Sequence, residues 1–280
     1  MFVKRTIDLL LFGSLFIAAC AVSMCLETNL LLHLPLNTLS FYCFVFGATL
    51  VQYNLHYLVK IRAVKDSHRM NWSLRNRKLH LLFIAAGTIL ILFSLFSFHL
   101  HHFIILLILG AISSIYSLPL IPFGKKKRIK DFGLIKIITL ALLWTIVTVW
   151  FPADQLNFDH FSFLLIFSRR FIFMFLLCLL FDMRDLEVDA DENIHTLPVM
   201  LGIRRCYHLC YILLIAFVLL TIVQYVYSSQ FIPFIVMMLS AAITFVVVEH
   251  TKKHNSDYIY LAFVDGMMLL QALMVIFSSI

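Results

Sequence analysis

Residues 161–192 read FSFLLIFSRRFIFMFLLCLLFDMRDLEVDADE. The largely apolar run that ends at residue 181 matches the roughly 20 residues that a helix needs to cross a bilayer. Six acidic residues follow within eleven positions: Asp182, Asp185, Glu187, Asp189, Asp191 and Glu192. The stretch therefore predicts a membrane-spanning helix that continues into a strongly acidic segment at the membrane surface.

The composition of the whole chain agrees with a membrane protein. Of its 280 residues, 62% are hydrophobic and 13% are charged, and the mean hydropathy is +0.97. A soluble domain has roughly 45–50% apolar and about 25% charged residues. These values exclude a soluble globular enzyme, a disordered chain and a collagen-like fibre. They predict an integral membrane protein without a sizeable soluble domain.

Long apolar runs predict an all-α polytopic bundle of nine transmembrane helices. Runs of this length, without alternation of period two, argue against a membrane barrel. We expect one transmembrane domain over 1–280, with pseudo-halves of roughly 1–151 and 152–280. The predicted spans are 6–25, 38–58, 79–98, 102–121, 132–151, 161–181, 206–227, 231–249 and 258–279.

The basic residues are concentrated in alternate connections between these runs. The loop 59–78 holds seven Lys or Arg residues and the loop 122–131 holds five, whereas the loops 26–37 and 152–160 hold none. Because basic loops stay in the cytoplasm, we predict a cytoplasmic N-terminus in a multi-pass protein of the cell inner (plasma) membrane. The net charge of +7 thus indicates membrane topology, and we expect no nucleic-acid partner.

The spacing of the acidic residues suggests chemistry. Asp182, Asp185 and Asp189 lie at i, i+3 and i+7, so a helix would place them on one face, where they repel one another. Mg²⁺ binds one or two carboxylates and fills its remaining positions with water and substrate phosphate oxygens. We therefore predict a Mg²⁺–diphosphate site with these three ligands. The alternative is a solvated acidic loop that pairs with Arg184, Arg204 and Arg205.

The pattern Asp-x-x-Asp-x-x-x-Asp at 182–189, followed by TLPVMLG at 196–202, resembles the second aspartate-rich motif of the UbiA superfamily of intramembrane prenyltransferases. The segment Tyr116-Ser117-Leu118-Pro119 and the basic run 125–130 resemble a second segment of that family. The resemblance implies a nine-helix bundle and Mg²⁺-dependent transfer of an isoprenyl group from a prenyl diphosphate to an aromatic or other small-molecule acceptor. It also implies that Asp182, Asp185 and Asp189 are catalytic.

The chain departs from the family at its first aspartate-rich motif. Asn54 is present, but Leu58 and Arg62 occupy the positions of the two acids, and Asn193 replaces a glycine of the second motif. Arg62 has two interpretations. It binds the diphosphate directly, or it pairs with Asp182 or Asp185 and leaves the site catalytically inactive.

Further candidates complete the predicted site. Asp265 lies inside the last span, where it would orient an acceptor or make a structural hydrogen bond between helices. Arg169 and Arg170 are expected to pair with Asp265 or to lie nearer a surface. The predicted substrate-binding residues are Asn54, Arg62, Tyr116, Lys125, Lys126, Arg128, Arg184 and Asp265.

Two other functions are compatible with the sequence. A catalytically inactive protein of the same fold would bind prenyl lipids without transferring them, and the altered first motif supports that alternative. A small membrane transporter is the second alternative. The acceptor, the prenyl chain length and the oligomeric state are not encoded in any motif.

Overall fold

The computed structural model describes residues 2–59, 68–98, 100–117, 133–153, 158–191 and 194–279. These residues form helices joined by short connections. The helices are α1 (Phe2–Phe12), α2 (Leu15–Leu31), α3 (Leu39–Val59), α4 (His68–Arg75), α5 (Arg77–Leu95), α6 (Leu100–Ser117), α7 (Gly133–Ala153), α8 (His160–Arg184), α9 (Leu186–Asp191), α10 (Leu197–Leu201), α11 (Ile203–Ser228), α12 (Phe231–Thr251) and α13 (Asp257–Ser278). Single π-helical turns interrupt α7 at Ile146–Trp150 and α13 at Tyr260–Val264.

Each of the nine predicted runs contains a helix, and the all-α membrane fold is confirmed. In the part of the chain that the structure describes, six helices are long and apolar enough to cross a membrane: α5, α7, α8, α11, α12 and α13. The bent pair α1–α2 raises the number to seven when it counts as one span. The count of nine spans therefore stays a prediction.

The first predicted span, 6–25, is wrong as a continuous helix. The chain bends by 59° between α1 and α2, and α2 continues to Leu31. Ser14 adopts a left-handed conformation with φ of 64° at the bend. Asn54 of α3 donates a hydrogen bond of 3.1 Å to the carbonyl of Gly13, an oxygen that the break deprives of a helical partner. The side-chain amide of Asn54, from a distant part of the chain, thus stabilises a helix break that the local sequence does not predict.

Close packing between helices holds the bundle together. The central helix α8 packs against α7 and α11, α2 packs against α13, and α3 packs against α5. At the α3–α5 crossing, a Cβ added to Gly47 would lie 2.7 Å from the carbonyl oxygen of Gly87. The backbones approach this closely because small residues face each other, which is how helices associate in lipid.

A network of polar side chains is buried in the half of the bundle away from the acidic segment. Arg170 pairs with Glu27 at 2.9 Å, and the two side chains are 1% and 0% exposed. Gln271 donates to Glu27 at 2.9 Å and accepts from Ser240 at 3.0 Å. The expectation that Arg170 pairs with Asp265 is therefore wrong, because α2 extends beyond its predicted end and brings Glu27 inside.

Arg169 has a different partner from its neighbour. Its guanidinium donates to the side-chain oxygen of Gln224 on α11 and lies 5.8 Å from the centre of the Phe217 ring. It is buried, so the alternative that it lies near a surface is wrong as well. Together Arg169 and Arg170 join α8 to α11 and α2 by polar contacts.

Candidate functional site

The acidic segment lies where the end of α8 meets the beginning of α7. Asp182 is buried, and its Oδ1 lies 2.7 Å from Nζ of Lys136 in the first turns of α7. The same ammonium group lies 4.0 Å from Oδ2 of Asp189 on α9. Two carboxylates from different helices thus converge on one cation. We call Asp182 and Asp189 the carboxylate pair.

The TLPVMLG strip determines how α7 approaches the carboxylate pair. A Cβ added to Gly133 would lie 1.9 Å from the carbonyl oxygen of His195 and 2.7 Å from Cα of Thr196. Only glycine permits this contact between the strip and the first turn of α7. Because Lys136 is three residues further along, the contact positions its ammonium group opposite the carboxylates.

The environment of Asp189 changes its acidity. The side chain is buried at the base of the segment, and burial raises its pKa to about 6, against the opposing influence of Lys136. The nearby negative charges of Asp182 and Asp185 raise the pKa further. A carboxylate with this pKa loses its proton near neutral pH and gains stability from any added cation.

Asp185 points to a different set of partners. Arg184 holds it in a bidentate pair, with Nε–Oδ1 at 2.7 Å and Nη2–Oδ2 at 3.1 Å. A second carboxylate, Asp257 at the start of α13, lies 3.7 Å from Nη1 of Arg184. The guanidinium also lies over the rings of Phe181 and Tyr260, at 5.0 and 5.5 Å from their centres. Arg184 is therefore held in place by two acids and two rings.

The residues present suit a divalent cation at the carboxylate pair. Oδ2 of Asp182 and Oδ2 of Asp189 are buried and accept no hydrogen bond from the described residues. Within those same residues, no group of three or more His, Cys, Asp or Glu side chains is close enough to hold a metal ion. The three acids predicted as ligands are thus divided between Lys136 and Arg184. A pair of carboxylates is nevertheless within the range that Mg²⁺ uses when substrate phosphates supply other ligands.

The side chain of Asn54 makes its hydrogen bonds within the protein. Its amide donates to Gly13 and to Leu50, at 3.1 and 2.8 Å, and its oxygen lies 2.6 Å from Nδ1 of His80. Both amide hydrogens are used within the protein, so the side chain has no donor left for a substrate. Leu58 is half-buried on the same helix. This wall of the bundle carries no carboxylate at either altered position.

A cation lies at this wall instead. Arg69 on the short helix α4 is 5% exposed, and its guanidinium lies 4.1 Å from the centre of the Tyr57 ring. Its backbone N–H donates to Asp257 at 3.0 Å, so α4 and Arg184 share one anchoring acid. Asp265 is buried, and the described residues give its carboxylate no hydrogen bond and no ion pair. Arg69 and Arg184 are the cations that act on it at longer range.

Four of the predicted substrate-binding residues lie outside the described residues. They are Arg62, Lys125, Lys126 and Arg128. For Tyr116 the structure describes the backbone within α6 but not the side chain. The two interpretations of Arg62 consequently stay predictions.

The sequence of this chain matches a known protein family. The model of the UbiA prenyltransferase family matches residues 73–272. This chain belongs to the UbiA prenyltransferase family. A search of curated proteins finds no match.

Solved structures share the fold over nearly the whole chain. A UbiA homologue from Archaeoglobus fulgidus, bound to GPP and Mg²⁺, has a TM-score of 0.68 at 14% identity, covering 97% of this chain and 99% of its own. A UbiA homologue from Archaeoglobus fulgidus bound to DMAPP and Mg²⁺ has a TM-score of 0.64 at 14% identity, with 97% of each chain covered. A digeranylgeranylglyceryl phosphate synthase structure has a TM-score of 0.61 at 15% identity, covering 99% and 98%.

Membership of the UbiA family confirms the resemblance stated from residues 182–202. It also confirms a multi-pass integral membrane protein with the fold of the intramembrane prenyltransferases. This favours the interpretations that share the fold over the transporter.

Sequence reasoning did not single out two cations of the candidate site, Lys136 and Arg69. Lys136 lies one turn inside a span, and Arg69 lies in a loop with seven basic residues, so neither stands out by position. A charged residue within an apolar run is a signal that could have identified Lys136, because such residues are costly in lipid. No local signal distinguishes Arg69 from the other basic residues of its loop.

Proposed function

We propose that this UbiA protein transfers an isoprenyl group from a prenyl diphosphate to a small-molecule acceptor, with Mg²⁺ bound at the carboxylate pair. The observation that carries the proposal is the pair of buried oxygens on Asp182 and Asp189, which accept no hydrogen bond from the described residues and converge on Lys136. Two buried carboxylates that share a single cation need further compensating charge. The homologue of the same fold that is bound to GPP and Mg²⁺ adds support.

The reaction requires stabilisation of a leaving diphosphate. The bond between the allylic carbon and the diphosphate oxygen breaks, and its electron pair stays on that oxygen. The acceptor then bonds to the allylic carbon and loses a proton. Mg²⁺, when bound, would supply Lewis-acid neutralisation of the charge on the diphosphate.

Lys136 is the residue of this chain that we expect to act on the leaving group. Its side chain is 20% exposed while those of Asp182 and Asp189 are less exposed, so we expect its ammonium group to turn from Asp182 toward a diphosphate oxygen. A positive charge aimed at developing negative charge lowers the barrier most in a site that excludes water. Arg69 supplies positive charge from the wall where the first motif has lost its acids.

Asp185 and Arg184 have a positioning role in this proposal. Arg184 is neutralised by Asp185 and Asp257, and it thereby ties the end of α8 to the start of α13. The tie keeps Asp265 on α13 near the cations of the site. The proposal thus assigns metal binding to Asp182 and Asp189 and leaves Asp185 to orientation.

Pyrophosphate release tests the proposal. The purified protein in lipid nanodiscs is given prenyl diphosphates of several chain lengths and a panel of acceptors, with and without Mg²⁺. We expect Mg²⁺-dependent release that falls about 100-fold in Lys136→Gln, the size of effect seen when one charge-stabilising donor is removed. Asp189→Asn should remove the response to Mg²⁺.

Asp191→Asn is the matched control. Asp191 is an exposed acid of the same segment, so its loss changes the net charge equally without altering the carboxylate pair. Equal losses in Asp191→Asn and Asp189→Asn would show that only the overall charge matters, and would reject the assigned site.

A second function is favoured by one specific observation. Lys136 already lies 2.7 Å from Asp182, where a protein that binds prenyl lipids without transfer would keep a permanent internal counter-ion. This catalytically inactive alternative predicts Mg²⁺-independent binding of prenyl diphosphates. It also predicts no release of pyrophosphate with any acceptor.

A further inference from the structure

A cavity separate from the carboxylate pair lies at the same end of the bundle as the acidic segment, between α8, α11, α12 and the start of α13. Its volume is about 160 Å³. Met183 forms part of its wall, Tyr207 and Tyr260 contribute aromatic rings, and Lys252, Lys253 and His254 contribute basic groups. None of these residues belongs to the proposed diphosphate site.

The charge of this cavity is positive. Lys252 lies 2.7 Å from Glu249 and also donates to Tyr211, and these hydrogen bonds raise its pKa, so it stays protonated. Lys253 is exposed and makes no ion pair or side-chain hydrogen bond with the described residues. One acid therefore balances only one of the two lysines. The ring of His254 packs on that of His250, with the centres 4.6 Å apart.

The cavity lies at the ends of its helices, where lipid headgroups are expected. It is formed where two membrane-spanning helices end, since α11 begins at Ile203 and α12 ends at Thr251. Ile203 is 45% exposed at its edge, and tyrosines are the side chains typical of the membrane–water interface. Basic pockets between membrane helices at this depth bind the headgroups of anionic lipids.

We propose that this cavity binds the phosphate group of an anionic lipid. Lys253 offers an ammonium group without an internal counter-ion, and Lys252 offers a second one above the Tyr207 ring, 5.2 Å from its centre. A volume of about 160 Å³ admits a phosphate together with part of its headgroup. The lipid tails would continue along the exposed apolar faces of α11 and α12.

A bound lipid would act on the segment that anchors Arg184. Asn255 lines the cavity and donates to the carbonyl oxygen of Arg184 at 3.4 Å. Two residues later, Asp257 contacts both Arg184 and the backbone of Arg69. Phosphate held by Lys252 and Lys253 would order this connection, and with it the contacts between α4, α8 and α13.

Lipid binding is measured by native mass spectrometry of the detergent-solubilised protein, without Mg²⁺ and without prenyl diphosphate. The probes are phosphatidylglycerol and phosphatidylcholine with identical acyl chains. We expect phosphatidylglycerol to be preferred, and we expect Lys253→Gln to weaken its binding about fivefold, the contribution of one lysine near an anionic lipid. Lys78→Gln, which removes an exposed lysine from α5, should leave the preference unchanged.

Inorganic phosphate distinguishes the two sources of the anion. Competition by phosphate at millimolar concentration, lost in Lys253→Gln, would assign the cavity to free phosphate as well as to lipid. Lipid binding without such competition would assign it to the lipid headgroup. The proposal is overturned when phosphatidylglycerol shows no preference, or when Lys253→Gln and the double variant with His254→Gln bind it as the native protein does. Because no pyrophosphate is measured, failure here leaves the proposed prenyl transfer intact.

Discussion

Two of the buried clusters of charged side chains in the described residues differ in how their charges are balanced. In one, Arg170 faces Glu27 at 2.9 Å, and Gln271 and Ser240 extend the contacts of the acid. In the other, Asp182 and Asp189 share the ammonium group of Lys136, at 2.7 and 4.0 Å. The ion pair of the first cluster joins one anion to one cation, with Arg169 as a further cation nearby, and the second cluster has two anions for one cation.

The difference distinguishes polar side chains that stabilise the fold from polar side chains that are available to bind a further ion. The Arg170–Glu27 pair lies deep in the bundle and joins α2 to α8. Because the two charges compensate each other, the pair does not attract a further ion. An unbalanced pair at the end of α8 is costly by itself, and the cost falls when a further cation arrives. Strained or unsatisfied polar groups of this kind are typical of functional sites.

The largest expected effect comes from breaking the balanced cluster. Arg170→Met should lower the free energy of unfolding by about 3–5 kcal/mol, because it leaves Glu27 buried without a counter-ion. The double variant with Glu27→Leu should recover most of this loss. Denaturant unfolding in detergent micelles measures all three proteins. An unfolding midpoint for Arg170→Met equal to that of Arg205→Met, which removes an exposed arginine, would contradict a buried structural pair.

A smaller effect is expected from displacing α7 from the TLPVMLG strip. Gly133→Ala places a Cβ 1.9 Å from the carbonyl oxygen of His195, so we expect a loss of about 1–3 kcal/mol in unfolding free energy and a weaker response to Mg²⁺. Gly110→Ala is the matched control, since a Cβ there meets nothing within 4 Å. The control should be as stable as the native protein, or more stable by up to about 1 kcal/mol. Equal unfolding midpoints for the two variants would disprove the close contact at Gly133.

The smallest effect concerns protons at the unbalanced cluster. Because Asp189 has a pKa of about 6, protons should compete with Mg²⁺ below that pH, and Mg²⁺ affinity should fall by about tenfold per pH unit. Without metal, the effect of pH on stability has the opposite sign. The carboxyl group of Asp189 binds its proton more tightly in the folded state than in the unfolded state, so the free energy of unfolding declines as the pH rises toward 6. Calorimetric titration between pH 5 and pH 8 measures the Mg²⁺ affinity, and thermal unfolding between about pH 4 and pH 7 measures the stability. A pH profile unchanged in Asp189→Asn would assign the titration to another group.

Much of the fold could be predicted from the sequence because membrane helices are specified locally. Each of the nine predicted runs contains a helix in the described residues, and the pattern at 182–202 identified the family that the family model confirms. The break at Gly13 and Ser14 was missed, since its support comes from Asn54, some 40 positions away in the chain.

The candidate site was predictable only in part. Asp182 and Asp189 were identified by their spacing, but spacing on one helix also placed Asp185 with them. Instead, one helix ends at Arg184 and the next begins at Leu186, so Asp182 and Asp189 lie on different helices. Asp185 lies at the junction between them and pairs with Arg184. Asn54 was predicted to bind substrate. In the structure its amide donates a hydrogen bond to the carbonyl oxygen of Gly13, at the break between α1 and α2.

The sequence by itself determined the class of protein, its apolar helices and the acidic segment, because hydropathy and helical spacing act over a few turns. Only the tertiary structure decided which charges meet. It placed Lys136 between two carboxylates, Glu27 opposite Arg170, and Arg69 at the wall that lost its acids. The reason is physical: the energy of a buried charge depends on partners from other helices, and no periodicity along one helix records them.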